Sequence, residues 1–319
     1  MASLLVIGGS GFFGKSILDA YNRGLLDSWE IRSIKIIARQ ASYLRKTDPS
    51  LIGPNIELID QDISSCKILP PANYVIHAAA STDATRYVSM AKEEKENILS
   101  ATLNYCQLAK EFHKESKIVY VSSGAVYGKQ PANVNKIAEN YDFGLIENLE
   151  PVKQNYAAAK RDGEKYVQAL GALGYKVSIA RCFSFIGHYL PLNQHFAIGN
   201  FIRDGLKGKS IVVNARHQVI RSYMYADDLV IWLMTIANIG NSACPIYNVG
   251  SSEIIEIREL AKMIAEKFNV EVITHPTLIQ SQVDRYIPSI EKAITQLNIS
   301  LKYNLDSALN LTIKSFLKF

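Results

Sequence analysis

The chain predicts an α/β fold: a doubly wound parallel sheet with a smaller C-terminal substrate lobe. Three observations predict it. Short apolar runs alternate with longer amphipathic stretches through the first half of the 319 residues. A glycine-rich turn follows the first apolar run at once. The alternation weakens after residue 181 and returns only at 222–249. Residues 1–181 and 222–249 are therefore assigned to the sheet domain, and residues 182–221 and 250–319 to the lobe.

Residues 3–7 read as a buried strand, and residues 15–23 as a helix. Between them stands Gly8-Gly9-Ser10-Gly11-Phe12-Phe13-Gly14. Strand, glycine turn and helix in that order make a site for a phosphate pair. Gly8 permits the tight turn, Gly11 lets the backbone approach a pyrophosphate, and Gly14 lets the helix pack closely. The helix N-terminus turns its free N–H groups toward the anion. Gly8, Gly11, Phe12, Phe13 and Gly14 are thus candidates for binding a dinucleotide.

Composition excludes several other classes. The chain is 48% hydrophobic and 20% charged, ordinary for a globular protein with a sizeable core. Its net charge of +5 is spread without a basic block. That pattern suits an anionic small substrate and offers no stripe for nucleic acid. Cys66, Cys106, Cys182 and Cys244 lie far apart in apolar segments with no Cys-x-x-Cys spacing. Reduced core thiols in a cytoplasmic protein are the expectation, without a disulfide framework or metal site. The apolar N-terminus lacks the basic leading region of a signal peptide. The longest apolar run, 229–239, is too short to span a bilayer.

Further strands are expected at 33–39, 55–60, 73–77, 117–121 and 176–181, with helices at 85–113 and 151–173. The second strand ends in Arg39, and residues 39–46 contain no acid. A basic residue there accommodates a 2′-phosphate, so NADP(H) is favoured over NAD(H). A solvated Arg39, or one stacked on adenine, is the plainer alternative. Asp62, after the third strand and next to Ile63, is placed either to meet the adenine edge or to cap a helix. Ala78 and Ala79, in the run Ala78-Ala79-Ala80-Ser81, let a ligand lie close to the end of the fourth strand. His77 reads as a strand-end histidine, and Asn97 lies on the following helix.

Ser122-Ser123 ends the fifth strand, where open α/β sheets bind ligands. Tyr156 and Lys160 stand four apart on the next helix and share one face. A lysine ammonium beside a phenol lowers the phenol's pKa, so that tyrosine can exchange a proton near neutral pH. Beyond 181, helices are expected at 193–207, 255–268, 289–297 and 305–317, and strands at 210–213 and 245–249.

Taken together, these residues resemble the extended short-chain dehydrogenase/reductases, in the branch of nucleotide-sugar epimerases, dehydratases and ketoreductases. The resemblance runs nearly end to end. It rests on Gly8 to Gly14, His77-Ala78-Ala79-Ala80, Val121 to Gly128, Tyr156 to Lys160, Arg221 to Asp228, Asn248 to Gly250, and Arg285 before Glu291-Lys292-Ala293. It implies a Rossmann-like sheet domain that binds NAD(P), and a lobe that binds a nucleotide sugar. It implies Tyr156 as proton donor and acceptor, Lys160 as its tuner and ribose contact, and Ser123 as the hydroxyl that orients the sugar. Alongside Gly8 to Gly14, it places Arg39, Asp62, Ile63, Ala78, Ala79 and Asn97 at the cofactor. Arg221 and Arg285 match positions that clamp a pyrophosphate, with surface salt bridges as the alternative. Helices 85–113 and 152–173 match a homodimer interface.

Two departures bear on the reaction. The branch's 4,6-dehydratases carry acid directly after the catalytic hydroxyl, where this chain has Gly124 and Ala125. The branch often has Asn where this chain has Ser184, which shortens the reach toward substrate phosphate. The leading expectation is an NADP-dependent 4-reductase of a nucleotide-linked 4-keto-6-deoxysugar. The alternative is a nucleotide-sugar 4-epimerase with tightly bound NAD. A non-catalytic dinucleotide sensor is the reading from another class, and the retained Tyr156 and Lys160 oppose it.

Overall fold

The computed structural model describes residues 1–80, 89–194, 196–276 and 283–317. Ser81, residues 85–88 of the long helical stretch, and 195, 277–282 and 318–319 of the lobe lie outside the described residues. The first strands are β1 (Ala2–Ile7), β2 (Ile31–Ala38), β3 (Ile56–Asp60), β4 (Tyr74–His77), β5 (Lys117–Ser123) and β6 (Val177–Cys182). Then come β7 (Phe185–Ile186), β8 (Ile211–Val213), β9 (Gln218–Arg221), β10 (Met224–Tyr225), β11 (Ile246–Val249), β12 (Ile255–Glu256), β13 (Val272–Thr274) and β14 (Val283–Tyr286). The helices are α1 (Phe12–Asn22), α2 (Leu44–Thr47), α3 (Ala91–Phe112), α4 (Pro151–Ala172), α5 (Ala197–Leu206), α6 (Ala226–Asn238), α7 (Ile257–Phe268), α8 (Glu291–Leu297) and α9 (Leu305–Leu317).

The main sheet is seven-stranded in the order β11-β6-β5-β4-β1-β2-β3. Every pairing in it is parallel. Parallel sheets bury both faces, and the strands show it residue by residue. Leu4 and Val6 join one core with Leu229 and Trp232 of α6. Leu5 and Ile7 join the opposite core with Tyr105 of α3 and Val167 of α4. α4 opens on Pro151, whose fixed φ and missing N–H suit the first helical turn.

The lobe has its own core, built from Ile198 and Phe201 of α5, Leu260 and Ile264 of α7 and Leu309 of α9. In it β12, β9 and β14 form one small sheet, and β8 pairs with β13. The sequence division puts α8 in the lobe, yet its Ala293, with Ile290 before it, packs in the first core of the main sheet. Residues 255–256, expected to start a helix, form β12 instead. The expected fifth strand is longer than 117–121: pairing with β6 continues through Ser123 and Cys182, so both serines belong to β5.

A buried ion pair locks α4 to the sheet. Arg181 of β6 donates to Glu164 of α4 through Nη2 at 2.8 Å and Nε at 3.0 Å. Ser122 Oγ donates to the same carboxylate at 2.6 Å. Arg181 Nη1 also donates to Tyr127 Oη at 2.9 Å, and that hydroxyl donates to Asn248 Oδ1 of β11 at 2.8 Å. The carboxylate's acceptors are thereby used, which a buried charge requires. Along the outer edge, Asn248 N donates to Glu139 Oε1 at 2.8 Å, and Lys292 Nζ donates to Ile246 O at 2.8 Å.

Candidate active site

The site lies at the C-terminal ends of β1, β4, β5 and β6. The glycine turn forms its first wall. Gly8 has φ +82°, and a Cβ there would lie 2.6 Å from Ala79 Cα, so the β1 and β4 loops touch through a glycine. A Cβ on Gly14 would lie 1.9 Å from Gly9 O, which fixes how tightly α1 sits on its own turn. Gly11 differs: nothing stands within 4 Å of its would-be Cβ. It caps α1 without a side-chain hydrogen bond. Open space in front of an uncapped helix N-terminus fits the pyrophosphate of a dinucleotide. Phe13 meets Phe185 edge-on at 5.4 Å, and Phe12 packs with both the sheet core and the lobe core. These rings join turn to lobe.

Toward the adenosine end, Arg39 is exposed just beyond β2. An acid stands nearby after all, supplied by the neighbouring strand. Asp60 at the end of β3 accepts from Ser42 N at 2.7 Å and from the Ser42 hydroxyl. Those hydrogen bonds hold its carboxyl below the usual range. Asp62 Oδ1 accepts from Ser64 N at 2.9 Å and Ser64 Oγ at 2.8 Å, which opens a turn at 63–65 and caps no helix. Ile63 buries its side chain in the core, and its carbonyl accepts from Asn104 Nδ2 at 2.7 Å. Ala78 and Ala79 are half-buried beside Gly8, and Asn97 is half-buried on α3. His77 is buried, 5.0 Å from the Tyr105 ring, and neither ring nitrogen has a hydrogen-bond partner among the described residues. Burial and the nearby Lys160 charge push it down to about 4, so it is a neutral aromatic spacer.

Ser123, Tyr156 and Lys160 come together. Ser123 Oγ accepts from Ala125 N at 3.2 Å, and its hydroxyl pulls the pKa of the neighbouring Tyr156 phenol downward. Lys160 is 2% exposed, and its Nζ donates to Val121 O at 2.8 Å. It stands 5.9 Å from the centroid of the Tyr156 ring. The expectation that the ammonium lowers the phenol's pKa is not what this arrangement gives. Burial dominates and pushes Tyr156 up to about 12, against the opposing influence of the Ser123 hydroxyl. Burial also pulls Lys160 down to about 8. Cys182, opposite Ser123 on β6, is buried and its thiol is raised for the same reason.

On the substrate side, Ser184 is half-buried and its carbonyl accepts from Met224 N at 3.0 Å. The two arginines diverge. Arg221 Nη2 pairs with Asp284 Oδ2 at 2.7 Å, and its Nη1 donates to Asp284 O at 3.0 Å. Arg285 keeps a buried Nε without an acceptor among the described residues. Sequence reasoning missed Tyr286 and Phe183. β14 runs parallel to β9 and carries Tyr286 to the end of β5, where its hydroxyl lies 3.3 Å from Ser123 Oγ. The Phe183 ring lies 4.7 Å from that of Tyr286. The one available cue was position, immediately after Arg285. Among the described residues no cluster of His, Cys, Asp and Glu could hold a metal, and no helix is long and apolar enough to cross a membrane.

A parallel sheet with a glycine turn at β1 and a Ser–Tyr–Lys set at β5 and α4 defines a dinucleotide-dependent oxidoreductase of the extended short-chain class. The model of the NAD-dependent epimerase/dehydratase family matches residues 4–250, and the chain belongs to that family. It is 27% identical over 320 residues to UDP-glucuronic acid decarboxylase 1 of Danio rerio, covering 98% of this chain and 72% of the relative. The UDP-glucose 4-epimerase of Thermotoga maritima, solved with UDP-glucose, shares the fold at a TM-score of 0.80 and 20% identity, covering 99% of each chain. The dTDP-glucose 4,6-dehydratase of Streptomyces venezuelae, solved with NAD, does so at a TM-score of 0.79 and 20% identity, covering 99% of this chain and 97% of that one.

Proposed function

We propose that the chain transfers hydride at C4 of a nucleotide-activated sugar, as a 4-reductase of a nucleotide-linked 4-keto-6-deoxysugar. The observation that carries this reading is the convergence of Ser123, Tyr156 and Lys160 beside the glycine turn. A bound nicotinamide supplies the hydride. Tyr156 gives its phenolic proton to the C4 oxygen, Ser123 orients that oxygen, and the Lys160 ammonium holds the nearby ribose. Arg285, whose buried Nε has no acceptor among the described residues, is the guanidinium assigned to the substrate's phosphates. Elimination of water is disfavoured, because Gly124 and Ala125 supply no acid next to Ser123.

For the cofactor, exposed Arg39 favours NADP(H). A second reading, a 4-epimerase that retains NAD, draws on Asp60, whose carboxylate at the Ser42 turn repels a 2′-phosphate. Four free, buried cysteines suit a reducing, cytoplasmic setting.

A panel of nucleotide sugars assayed with NADPH and NADH separates these readings. A reductase consumes added cofactor, whereas an epimerase turns over without it and copurifies with NAD. Tyr156→Phe is expected to abolish turnover while cofactor binding persists; retained turnover sinks the assignment.

A further inference from the structure

The Ser123 hydroxyl faces two phenols. Tyr286 Oη lies 3.3 Å from Ser123 Oγ and 3.5 Å from Cys182 O, either of which can accept its proton, and the same serine hydroxyl pulls the pKa of the Tyr156 phenol downward. The arrangement depends on Gly124: a Cβ there would lie 2.8 Å from Tyr286 Oη and 2.7 Å from Phe183 Cε1. The glycine that removes an acid from the site thus also admits a third hydroxyl.

We propose that Tyr286 is a positioning residue: its hydroxyl donates to Ser123 Oγ and so turns the serine proton toward the Tyr156 oxygen. The inference rests on the reading of Ser123 and Tyr156 given above. A serine oxygen accepts two hydrogen bonds and donates one. Ala125 N fills one acceptor position at 3.2 Å; in the proposed arrangement the single Tyr286 proton goes to Ser123 Oγ at 3.3 Å in preference to Cys182 O at 3.5 Å and fills the other. The serine proton then points to Tyr156, and a hydrogen bond donated to a phenol oxygen favours the phenolate. Tyr286 can donate because burial holds its own phenol well above the usual tyrosine range.

The other groups facing this cluster do not replace it. Tyr120 of β5 and Cys182 of β6 are kept neutral by burial. Glu164 of α4 is paired with Arg181, and Arg221 of β9 with Asp284 of β14. His77 of β4 is neutral, and Lys160 directs its proton to Val121 O. Tyr286 therefore acts as an oriented dipole through Ser123.

The test compares pH–rate profiles of the native chain, Tyr286→Phe, Gly124→Ala and the double variant. It is joined to carbon-13 NMR of the Tyr156 Cζ in tyrosine-labelled protein, assigned by its loss in Tyr156→Phe. Tyr286→Phe keeps the ring on Phe183 and removes only the hydroxyl. It should move the pH limb set by Tyr156 upward by about half a unit and shift the Tyr156 resonance. Gly124→Ala, which pushes the same hydroxyl aside, should move the limb the same way, and the double variant should add nothing further. An unmoved limb with an unmoved resonance in Tyr286→Phe overturns the proposal, while inactivity of Tyr156→Phe still upholds the catalytic reading. If the native chain turns over no nucleotide sugar, the catalytic reading falls. The resonance alone then decides: a shift in Tyr286→Phe upholds the hydroxyl chain, and no shift overturns it.

Discussion

Lys160 carries its charge where water hardly reaches, with Val121 O as its hydrogen-bond acceptor. Burial lowers its pKa from 10.5 to about 8. A lysine whose folded pKa lies below its unfolded value gives up its proton first in the native state. Between about pH 8 and 10.5 the unfolded chain holds more protons, so this group adds stability as pH rises through that window. Below pH 8 the cost of the buried charge is borne in full. Native protein should therefore gain on Lys160→Met between pH 7.5 and 10.5 by about 3 kcal/mol, read as a shift of the melting-temperature difference in favour of the native chain. A difference that stays flat with pH would mean the ammonium is solvated. The Tyr156–Lys160 spacing was legible in the sequence because helical periodicity fixes which residues share a face. The sign of the phenol's shift was not legible, since it depends on how deeply Ser123, Cys182 and Tyr286 enclose the ring.

Across the turn from β1 into the first residues of α1, individual glycines do different things. Gly14 is a packing residue: a methyl group there collides with Gly9 O at 1.9 Å. Gly11 has open space around it and an extended backbone that alanine also adopts. Gly14→Ala should lower stability by about 3 kcal/mol or more, in keeping with overpacking against rigid backbone. Gly11→Ala should melt within a few degrees of native protein yet bind NAD(H) or NADP(H) about tenfold more weakly or worse. Isothermal titration alongside thermal melts checks both, and unaltered cofactor affinity in Gly11→Ala would place the phosphates elsewhere. Such a loop is readable from sequence because strand, turn and helix are contiguous. β14 is not readable that way. It has four residues, and its partner β9 lies some sixty positions earlier, so nothing local announces that Tyr286 meets Ser123.

At the level of the whole molecule, the strand–helix alternation was enough to anticipate the main sheet, because each parallel crossover obeys local periodicity. The allocation of α8 was not, since Ala293 finds its apolar partners on elements far away in sequence. The α3–α4 pair presents Leu103 at 41% exposure. The sequence resemblance implies that this pair meets a second copy. Light scattering should give about twice the 35.5 kDa chain mass, and Leu103→Arg should shift the population toward monomer; a monomeric native chain at high concentration would remove the dimer.

The hydrogen bonds along β11 have a consequence for how the protein behaves in a crowded solution. An exposed parallel sheet ends in a row of unpaired amides and carbonyls that can recruit a foreign strand. Glu139 occupies the Asn248 amide and Lys292 the Ile246 carbonyl, so this border is sealed with charged side chains. The opposite border, β3, has five residues and carries exposed Glu57 and Asp60. Neither margin offers a long, flat, apolar template, and the molecule is thereby guarded against fibrillar growth from its own sheet.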